Sequence, residues 1–214
     1  MAVAPAIALA AVCGYLLGSI PVGLLVSKTL GGRDLRDYGS GKTGFTNSLR
    51  VLGLKRSIPV LTGDLLKGLL ASLIPLLWTD EPWARAVGGF AAVVGHVWPV
   101  FAGFRGGRGV LTGAGVLLGL NPVAALCVVP VALLVIAATR YVSLASITAC
   151  ALAGPAFIAF AATGHSEWAY AAAATAGGWL IVAVHHDNIA RLRAGTERKL
   201  GKGGERRAEA PGTR

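Results

Sequence analysis

The polar, glycine-rich segment at residues 37–50 separates two long apolar runs and reads DYGSGKTGFTNSLR. Its glycines permit positive φ angles and close approach of the backbone to a ligand, and its hydroxyl, amide and guanidinium groups can donate hydrogen bonds. No carboxylate occurs between Ser40 and Arg50. This composition favours binding of a phosphate or another oxyanion, and the residues expected to take part are Gly39, Ser40, Gly41, Asn47 and Arg50.

Part of this segment is similar to a nucleotide-binding P-loop, because Gly41, Lys42 and Thr43 match the end of the pattern G-x-x-x-x-G-K-[ST]. That pattern requires a glycine at position 36, where the chain has Arg36. It also requires a preceding strand and a following helix in a soluble α/β domain, and the sequence indicates neither. The P-loop interpretation is therefore not favoured.

A second short loop, FRGGRG at residues 104–109, combines glycines with guanidinium groups. Glycines allow backbone N–H groups to face a ligand, and an arginine can pair with a phosphate through two parallel hydrogen bonds. The loop is thus a second candidate for phosphate binding, through Gly106, Gly107, Arg108 and Gly109.

Three further groups of polar residues lie within or at the ends of apolar segments. Asp64 and Lys67 are spaced i, i+3 on one helical face, and a charge at mid-bilayer costs about 2.5 to 3.5 kcal/mol, so such residues usually face a partner or a wet cavity. They could pair only with each other or contribute to the site. His96 is isolated in an apolar helix, where a histidine is more often a packed core residue. His185 and Asn188 end the last apolar run and are candidate site residues.

The composition indicates an integral membrane protein. Of 214 residues 54% are hydrophobic and only 14% are charged, with a mean hydropathy of +0.64, whereas soluble domains carry about 25% charged residues. In lipid, backbone polar groups must be satisfied within the protein, and no regular alternation suggests a barrel. The predicted fold class is an all-α membrane bundle.

The net charge of +10 does not predict nucleic-acid binding, because the basic residues lie between apolar segments and in the C-terminal tail. The three cysteines, Cys13, Cys127 and Cys150, lie in apolar runs without CxxC spacing or nearby metal ligands. We therefore expect small packing residues at these positions, and neither a metal nor another cofactor.

The apolar runs predict about seven transmembrane helices, some of them short. The uncharged run at residues 110–139 is too long for one span, and Asn121-Pro122 would break it into two short helices. No Lys or Arg precedes Lys28, so the first run is predicted to be a retained span and not a cleaved signal peptide. The other predicted spans cover residues 3–27, 58–78, 84–102, 142–163 and 168–184.

The distribution of basic residues predicts the orientation of the bundle. With seven spans, an outside N-terminus and a cytoplasmic C-terminus, all but two of the 20 Lys and Arg residues lie on the cytoplasmic side; the exceptions are Lys67 and Arg85. Residues 1–200 are predicted to form one membrane domain. Residues 201–214 form a charged, glycine-rich tail that is predicted to be disordered.

Taken together, these segments resemble the bacterial acyl-phosphate:glycerol-3-phosphate acyltransferase (PlsY) family over almost the whole chain. The family pattern GSGNxGATN, followed by an arginine three residues later, is similar to residues 39–47 with Arg50. The segments GHxxPVF and GGKG are similar to residues 95–101 and 106–109. The aspartate and lysine of the second span match Asp64 and Lys67, and the final histidine and asparagine match His185 and Asn188.

The chain departs from the family pattern at several positions in these motifs. Lys42 replaces the usual asparagine, Phe45 a small residue, and His186-Asp187 the more common Arg-Glu pair. Arg108 replaces the usual lysine and keeps its charge, although its planar guanidinium pairs differently with a phosphate.

The resemblance implies transfer of a fatty acyl group from acyl phosphate to the 1-hydroxyl of glycerol 3-phosphate, in the bacterial inner membrane with the site facing the cytoplasm. It implies catalytic roles for Ser40, Arg50, His185 and Asn188. It implies substrate or phosphate binding by Gly39, Gly41, Asn47, Asp64, Lys67, His96, Gly106, Gly107, Arg108 and Gly109. Membrane lipids would be the other partners.

The general base is not evident from the sequence. None of the four histidines has an aspartate five residues later, so the His-x-x-x-x-Asp pair of many glycerolipid acyltransferases is missing. A substrate phosphate oxygen could accept the hydroxyl proton, and His185 is the candidate within the protein. Ser40 has no adjacent base in the sequence, so we expect it to bind phosphate or acceptor and not to form an acyl-enzyme.

Two other functions fit some of these features. A transporter for a small phosphorylated anion would also use a buried Asp64–Lys67 pair and broken helices, although the sequence has no evident inverted repeat. A phosphotransferase acting on lipid headgroups would be expected to need clustered metal-binding carboxylates, and the acids near the predicted site are scattered.

Overall fold

The computed structural model describes residues 1–202 and 204–206, and this part of the chain contains helices but no strands. One isolated antiparallel bridge joins Tyr38 to Arg206. The predicted all-α fold is confirmed. The tail predicted to be disordered covers residues 201–214, of which residues 203 and 207–214 lie outside the described residues, and its disorder stays a prediction. The α-helices are α1 (Val3–Ser19), α2 (Val22–Gly31), α3 (Phe45–Leu52), α4 (Leu54–Leu73), α5 (Pro82–Val97), α6 (Val110–Leu120), α7 (Pro122–Thr139), α8 (Val142–Ala162), α9 (Trp168–Ala183) and α10 (His186–Arg193).

Among the described residues, five helical segments are long and apolar enough to cross a membrane. The first combines α1 and α2, the second is α4 with the short turn after it, and the third is α5 with the short turn after it. The fourth and fifth are α7 and α8. Two shorter apolar helices, α6 and α9, complete the set. The count agrees with the predicted seven spans, of which the shortest is α6.

The first span is broken where Pro21 follows Ile20. Ile20 has an extended backbone with φ −62° and ψ 114°, which ends α1 before α2 begins. Pro21 lacks the N–H that would continue the helix. The Ile20 carbonyl accepts hydrogen bonds from the Val22 N–H at 3.0 Å and from Lys67 Nζ at 3.1 Å. The break in the first span therefore receives a charged partner from α4.

The turn between α6 and α7 forms where the sequence predicts it. Asn121 caps α7, since its Oδ1 accepts a hydrogen bond of 3.0 Å from the N–H of Ala124. Pro122 occupies the first turn of α7, where its missing N–H costs nothing. The uncharged run thus becomes two helices of 11 and 18 residues.

Small residues bring the helices into close contact. A Cβ atom added to Gly14 of α1 would lie 2.0 Å from the Gly88 carbonyl oxygen of α5, and one added to Gly68 of α4 would lie 2.0 Å from the Thr112 carbonyl oxygen of α6. Helices in lipid associate mainly through such close packing. These contacts pack α1 closely against α5 and α4 closely against α6.

At the opposite end of the bundle, Arg85 joins three helices. Its Nε donates to the Ser72 carbonyl at 3.1 Å, another guanidinium nitrogen contacts the Gly119 carbonyl, and NH1 donates to the Tyr170 hydroxyl at 2.8 Å. The last carbonyls of a helix have no partner within the helix. Arg85 therefore caps α4 and α6 and connects both to α9.

Candidate active site

One cavity of about 430 Å³ gathers residues from all three polar segments of the sequence. The first glycine loop (residues 38–44) and α3 form one side, the second glycine loop (residues 103–109) another, and the start of α10 a third. The polar and charged lining residues are Ser40, Lys42, Thr46, Asn47, Arg50, Asp64, His96, Arg108, Ser143, Ser146, His185, Asn188 and Glu197.

Asn47 shapes the first glycine loop. Its Oδ1 accepts a hydrogen bond from the Ser40 N–H at 3.0 Å, and its Nδ2 lies within 3.1 Å of the carbonyls of Leu35, Tyr38 and Lys42. Although Asn47 borders the cavity, its amide is occupied by the backbone. Its observed contacts therefore fix the loop that presents Ser40.

The glycines at positions 39 and 41 likewise form the loop and do not line the cavity. Both have positive φ, of 54° and 70°, which favours glycine. The Gly39 N–H donates to the Glu205 carbonyl at 2.9 Å, and the Gly41 N–H donates to the Tyr38 carbonyl at 2.9 Å. These two N–H groups therefore have partners within the chain.

The second glycine loop rests on His96. The Gly107 N–H donates to the His96 carbonyl at 3.1 Å, and a Cβ added to Gly107 would lie 2.2 Å from His96 Nε2. Only glycine permits this approach of the loop to the imidazole. Gly106 and Gly107 accordingly place the loop but do not line the cavity, whereas Arg108 and Gly109 do.

Two partly buried guanidinium groups line the cavity from different elements, Arg50 from α3 and Arg108 from the second glycine loop. Burial lowers the pKa of each below its ordinary value, yet an arginine remains protonated in a protein. The Nε atoms of both residues are buried and have no hydrogen-bond partner among the described residues. Buried, protonated donors without partners fit an anionic ligand.

His185 stands at the N-cap of α10 and is neutral at physiological pH, because burial lowers its pKa to about 4. Its Nδ1 lies 2.7 Å from the Ile181 carbonyl oxygen. A carbonyl can only accept, so we assign the proton to Nδ1. Nε2 then carries a lone pair that can accept a hydrogen bond from a hydroxyl.

Asn188 and Ser143 share one carboxylate partner. Asn188 Nδ2 donates to Glu197 Oε1 at 2.8 Å, and Ser143 Oγ donates to the same oxygen at 3.0 Å. Gly195, with φ 69°, turns the chain after α10 so that Glu197 returns toward the helix. Asn188 Oδ1 is buried without a partner among the described residues and can accept a hydrogen bond from a ligand.

Asp64, Lys67 and His96 form one buried polar group inside the bundle. Lys67 Nζ lies 2.8 Å from Asp64 Oδ1, which lies 3.5 Å from His96 Nδ1. Thr112 Oγ1 is 3.1 Å from the same nitrogen. Asp64 and His96 reach the cavity wall, but Lys67 does not, and its contacts connect Asp64 to the break in the first span.

A second, almost entirely apolar cavity of about 200 Å³ adjoins the polar one. It lies between α5, α6, α7, α8 and α9, and both cavities are bordered by Val110, Ala132, Leu133 and Ala149. The arrangement offers anion-binding groups beside a hydrocarbon-lined space, which suits a ligand with a charged head and an apolar chain.

Of the residues expected from the sequence, Ser40, Asn47, Arg50, Asp64, His96, Arg108, Gly109, His185 and Asn188 border the cavity, and Gly39, Gly41, Lys67, Gly106 and Gly107 do not. Sequence reasoning missed Ser143 and Glu197. Ser143 is one small residue among many in α8 and carries no distinguishing pattern. Glu197 follows the His185–Asn188 motif and could have been found as the nearest acid after it. The described residues contain no group of three His, Cys, Asp or Glu side chains suited to a metal ion.

A family model described as glycerol-3-phosphate acyltransferase matches residues 8–195. The chain belongs to this family. Relatives in the glycerol-3-phosphate acyltransferase family include that of Shouchella clausii, 42% identical over 191 residues, which are 88% of this chain and 93% of the relative. The relative from Thermosynechococcus vestitus is 40% identical over 211 residues, which are 94% of this chain and 98% of the relative.

The fold of this glycerol-3-phosphate acyltransferase family member is also similar to solved structures of PlsY, described as an integral membrane glycerol 3-phosphate acyltransferase. The glycerol 3-phosphate form gives a TM-score of 0.82 at 40% identity and covers 91% of this chain and 96% of that chain. The lysophosphatidic acid form gives 0.78 at 38% identity, covering 90% and 94%. The predicted family and its membrane fold are confirmed.

Proposed function

We propose that the chain transfers a fatty acyl group from acyl phosphate to the 1-hydroxyl of glycerol 3-phosphate, giving 1-acylglycerol 3-phosphate and inorganic phosphate. This would be the first step of phospholipid synthesis. The observation that carries the proposal is that Arg50, Arg108, neutral His185 and Asn188 line one cavity, which adjoins an apolar cavity. Family membership, and relatives whose structures are described as glycerol 3-phosphate and lysophosphatidic acid forms, support it.

The two guanidinium groups can bind both phosphate-bearing substrates. Arg50 and Arg108 reach the cavity from different elements, and each retains a buried N–H without a partner among the described residues. Fixed cations in a site shielded from water stabilise charge that develops on the carbonyl oxygen and the leaving phosphate. Ser40 adds a hydroxyl for phosphate or acceptor binding, with its backbone held by Asn47.

The reaction needs no covalent intermediate with the protein. The acceptor hydroxyl oxygen attacks the acyl carbonyl carbon, a new C–O ester bond forms, and the bond between that carbon and the phosphate oxygen breaks. The phosphate leaves with the electron pair of that bond. Holding donor and acceptor side by side is the main contribution of the site, since acyl phosphate is already activated.

We assign the hydroxyl proton to a phosphate oxygen of the acyl donor. His185 has a pKa of about 4, which makes it a weak base at neutral pH. A phosphate group has its second pKa at about 6 and is the stronger proton acceptor. In this assignment His185 Nε2 and Asn188 Oδ1 accept hydrogen bonds from the acceptor's hydroxyl groups and orient them, and inorganic phosphate leaves with the proton.

The site is proposed to face the cytoplasm in the bacterial inner membrane, with the N-terminus outside and residues 1–200 as one domain. The support is the distribution of charge: all but two of the Lys and Arg residues lie on the side of the two glycine loops when the helices cross in sequence. Both soluble headgroups would then enter from the cytoplasm, while the acyl chain remains in the bilayer.

The deciding experiment supplies purified wild-type protein with palmitoyl phosphate and glycerol 3-phosphate, and measures lysophosphatidic acid and inorganic phosphate. We expect both products in equal amounts, and neither when one substrate is omitted. The Arg50→Ala variant should lose activity, whereas Arg56→Ala, an exposed position of α4, is the matched control. Absence of product from folded wild type, together with uptake of a phosphorylated solute into vesicles, would support transport instead.

A further inference from the structure

Arg191 of α10 lies between two carboxylates, each of which contacts a different part of the proposed site. Its Nε donates to Glu197 Oε2 at 2.7 Å, and its NH1 donates to Asp187 Oδ2 at 3.2 Å. Arg191 does not line the cavity. Among the described residues, its side-chain hydrogen bonds are to these two acids.

The first acid, Asp187, restrains a phosphate-binding group. Arg108 NH2 donates to Asp187 Oδ2 at 2.9 Å, so one carboxylate oxygen is shared by two guanidinium groups. Burial disfavours the ionised form of Asp187, but Arg108 and Arg191 keep its pKa below the ordinary value. Asp187 and a substrate phosphate compete for Arg108, because both are anions that pair with the same donors.

The second acid, Glu197, orients the groups that would face the acceptor. Oε1 receives hydrogen bonds from Asn188 Nδ2 and Ser143 Oγ, while Oε2 receives the bond from Arg191. Glu197 is 9% exposed. A buried carboxylate that loses its cation is costly and tends to rearrange or to take up a proton.

We propose that Arg191 is a positioning residue that controls both the availability of Arg108 to phosphate and the orientation of the Asn188 amide. By sharing Asp187, it weakens the hold of that acid on Arg108 and leaves the guanidinium available to a phosphate. By neutralising Glu197, it keeps the Asn188 amide turned so that Oδ1 faces the acceptor. The inference rests on the proposed acyl transfer.

Replacement of Arg191 should then produce two separable defects. In Arg191→Ala, Asp187 pairs with Arg108 alone and competes more strongly with phosphate, so KM for a phosphate-bearing substrate should rise. The misdirected Asn188 should lower kcat. We expect kcat/KM to fall about 10- to 100-fold, the range expected for coupled charged neighbours. Arg191→Lys should be intermediate, because an ammonium cannot bridge both carboxylates with the geometry of a guanidinium.

The discriminating variant is Asp187→Asn in the Arg191→Ala background. It removes the competing charge from Arg108, so KM should return toward the wild-type value while kcat stays low. The matched control is Arg193→Ala, which removes an exposed arginine from the same helix and should keep wild-type constants. Thermal unfolding of each variant separates loss of folded protein from changes in its kinetics.

A wild-type KM and kcat in both Arg191→Ala and Arg191→Lys would overturn the proposal, and so would a KM that Asp187→Asn fails to restore. If Arg191→Ala does not fold, the comparison is made in Arg191→Lys with and without Asp187→Asn, and the same KM shift and its reversal are required. Failure of wild type to form lysophosphatidic acid would instead refute the proposed function. The two failures are therefore distinguishable.

Discussion

Asn188 Nδ2 donates a hydrogen bond of 2.8 Å to Glu197 Oε1, and this contact determines which end of the Asn188 amide is available to a ligand. With the amide nitrogen held by a carboxylate, Oδ1 is the atom left to accept a hydrogen bond. In the proposed reaction we therefore expect Asn188 Oδ1 to accept hydrogen bonds from hydroxyl groups of the acceptor.

Asn188→Ala should abolish acyl transfer without preventing membrane insertion. Removing one preorganised polar group from an active site commonly lowers kcat by about 100- to 1000-fold. The measurement is lysophosphatidic acid formation by the purified variant, with circular dichroism to establish that it is folded. Phosphate release at the wild-type rate would contradict the role given to Asn188.

Arg50→Ala should reduce kcat/KM by at least about 100-fold, because Arg50 is one of two partly buried arginines that line the cavity. Arg50→Lys should recover only part of the activity, since lysine provides a point charge in place of a planar fork. Steady-state kinetics with palmitoyl phosphate and glycerol 3-phosphate provide the test. Equal activity of Arg50→Ala and Arg56→Ala would remove Arg50 from the phosphate site.

Ser40→Ala should also abolish turnover, because Ser40 is expected to hold phosphate or acceptor. Ser40 is not expected to form a covalent acyl-enzyme. Wild-type protein incubated with palmitoyl phosphate alone should therefore show no mass increase corresponding to an acyl group. Intact-protein mass spectrometry checks this directly. An acylated peptide containing Ser40 would establish the covalent route that we do not expect.

Stability should fall with decreasing pH through the titration of His185. Its folded pKa of about 4 lies below the ordinary value of 6.5, so the unfolded chain binds more protons between these values. The contribution of the neutral imidazole to the free energy of unfolding is fully present above pH 6.5, and it is lost as the pH falls toward 4. In His185→Asn, the melting temperature should depend less on pH over this window. His186→Asn, at the exposed neighbouring position, should retain the wild-type dependence.

Tyr170→Phe should destabilise the end of the bundle opposite the site while preserving activity. The substitution removes the hydroxyl that accepts from Arg85 NH1 at 2.8 Å, and a hydrogen bond to a charged group contributes about 1.5 to 3 kcal/mol. Thermal unfolding measures the loss. Tyr141→Phe is the control, because the Tyr141 hydroxyl makes no side-chain hydrogen bond among the described residues. Equal melting temperatures for the two variants would refute the role of Arg85.

Most of the fold could be predicted from the sequence because lipid leaves few alternatives. Long uncharged runs must be helical, and Asn121-Pro122 supplies both the cap and the first-turn proline that divide α6 from α7. The motifs at Arg50, Arg108 and His185 were also recognisable, since polar residues at the ends of apolar helices are conspicuous.

The role of each polar residue in the site could not be predicted from the sequence, because it depends on which backbone groups lie near the side chain. Asn47 is chemically suited to bind phosphate, yet its amide is consumed by the loop around Ser40. Lys67 is a suitable cation, yet it pairs with Asp64 and with the Ile20 carbonyl at the break in the first span. Ser143 lines the cavity and bonds to Glu197, which is 54 residues away in the sequence.

The contact between the Gly39 N–H and the Glu205 carbonyl joins the first glycine loop to nearly the last described residues of the chain. Arg108 and Ser143 likewise depend on acids in or after α10. During synthesis, helices α1 to α8 are made before the segment that completes the site. The enzyme should therefore acquire activity only after residues 185–205 have been synthesised.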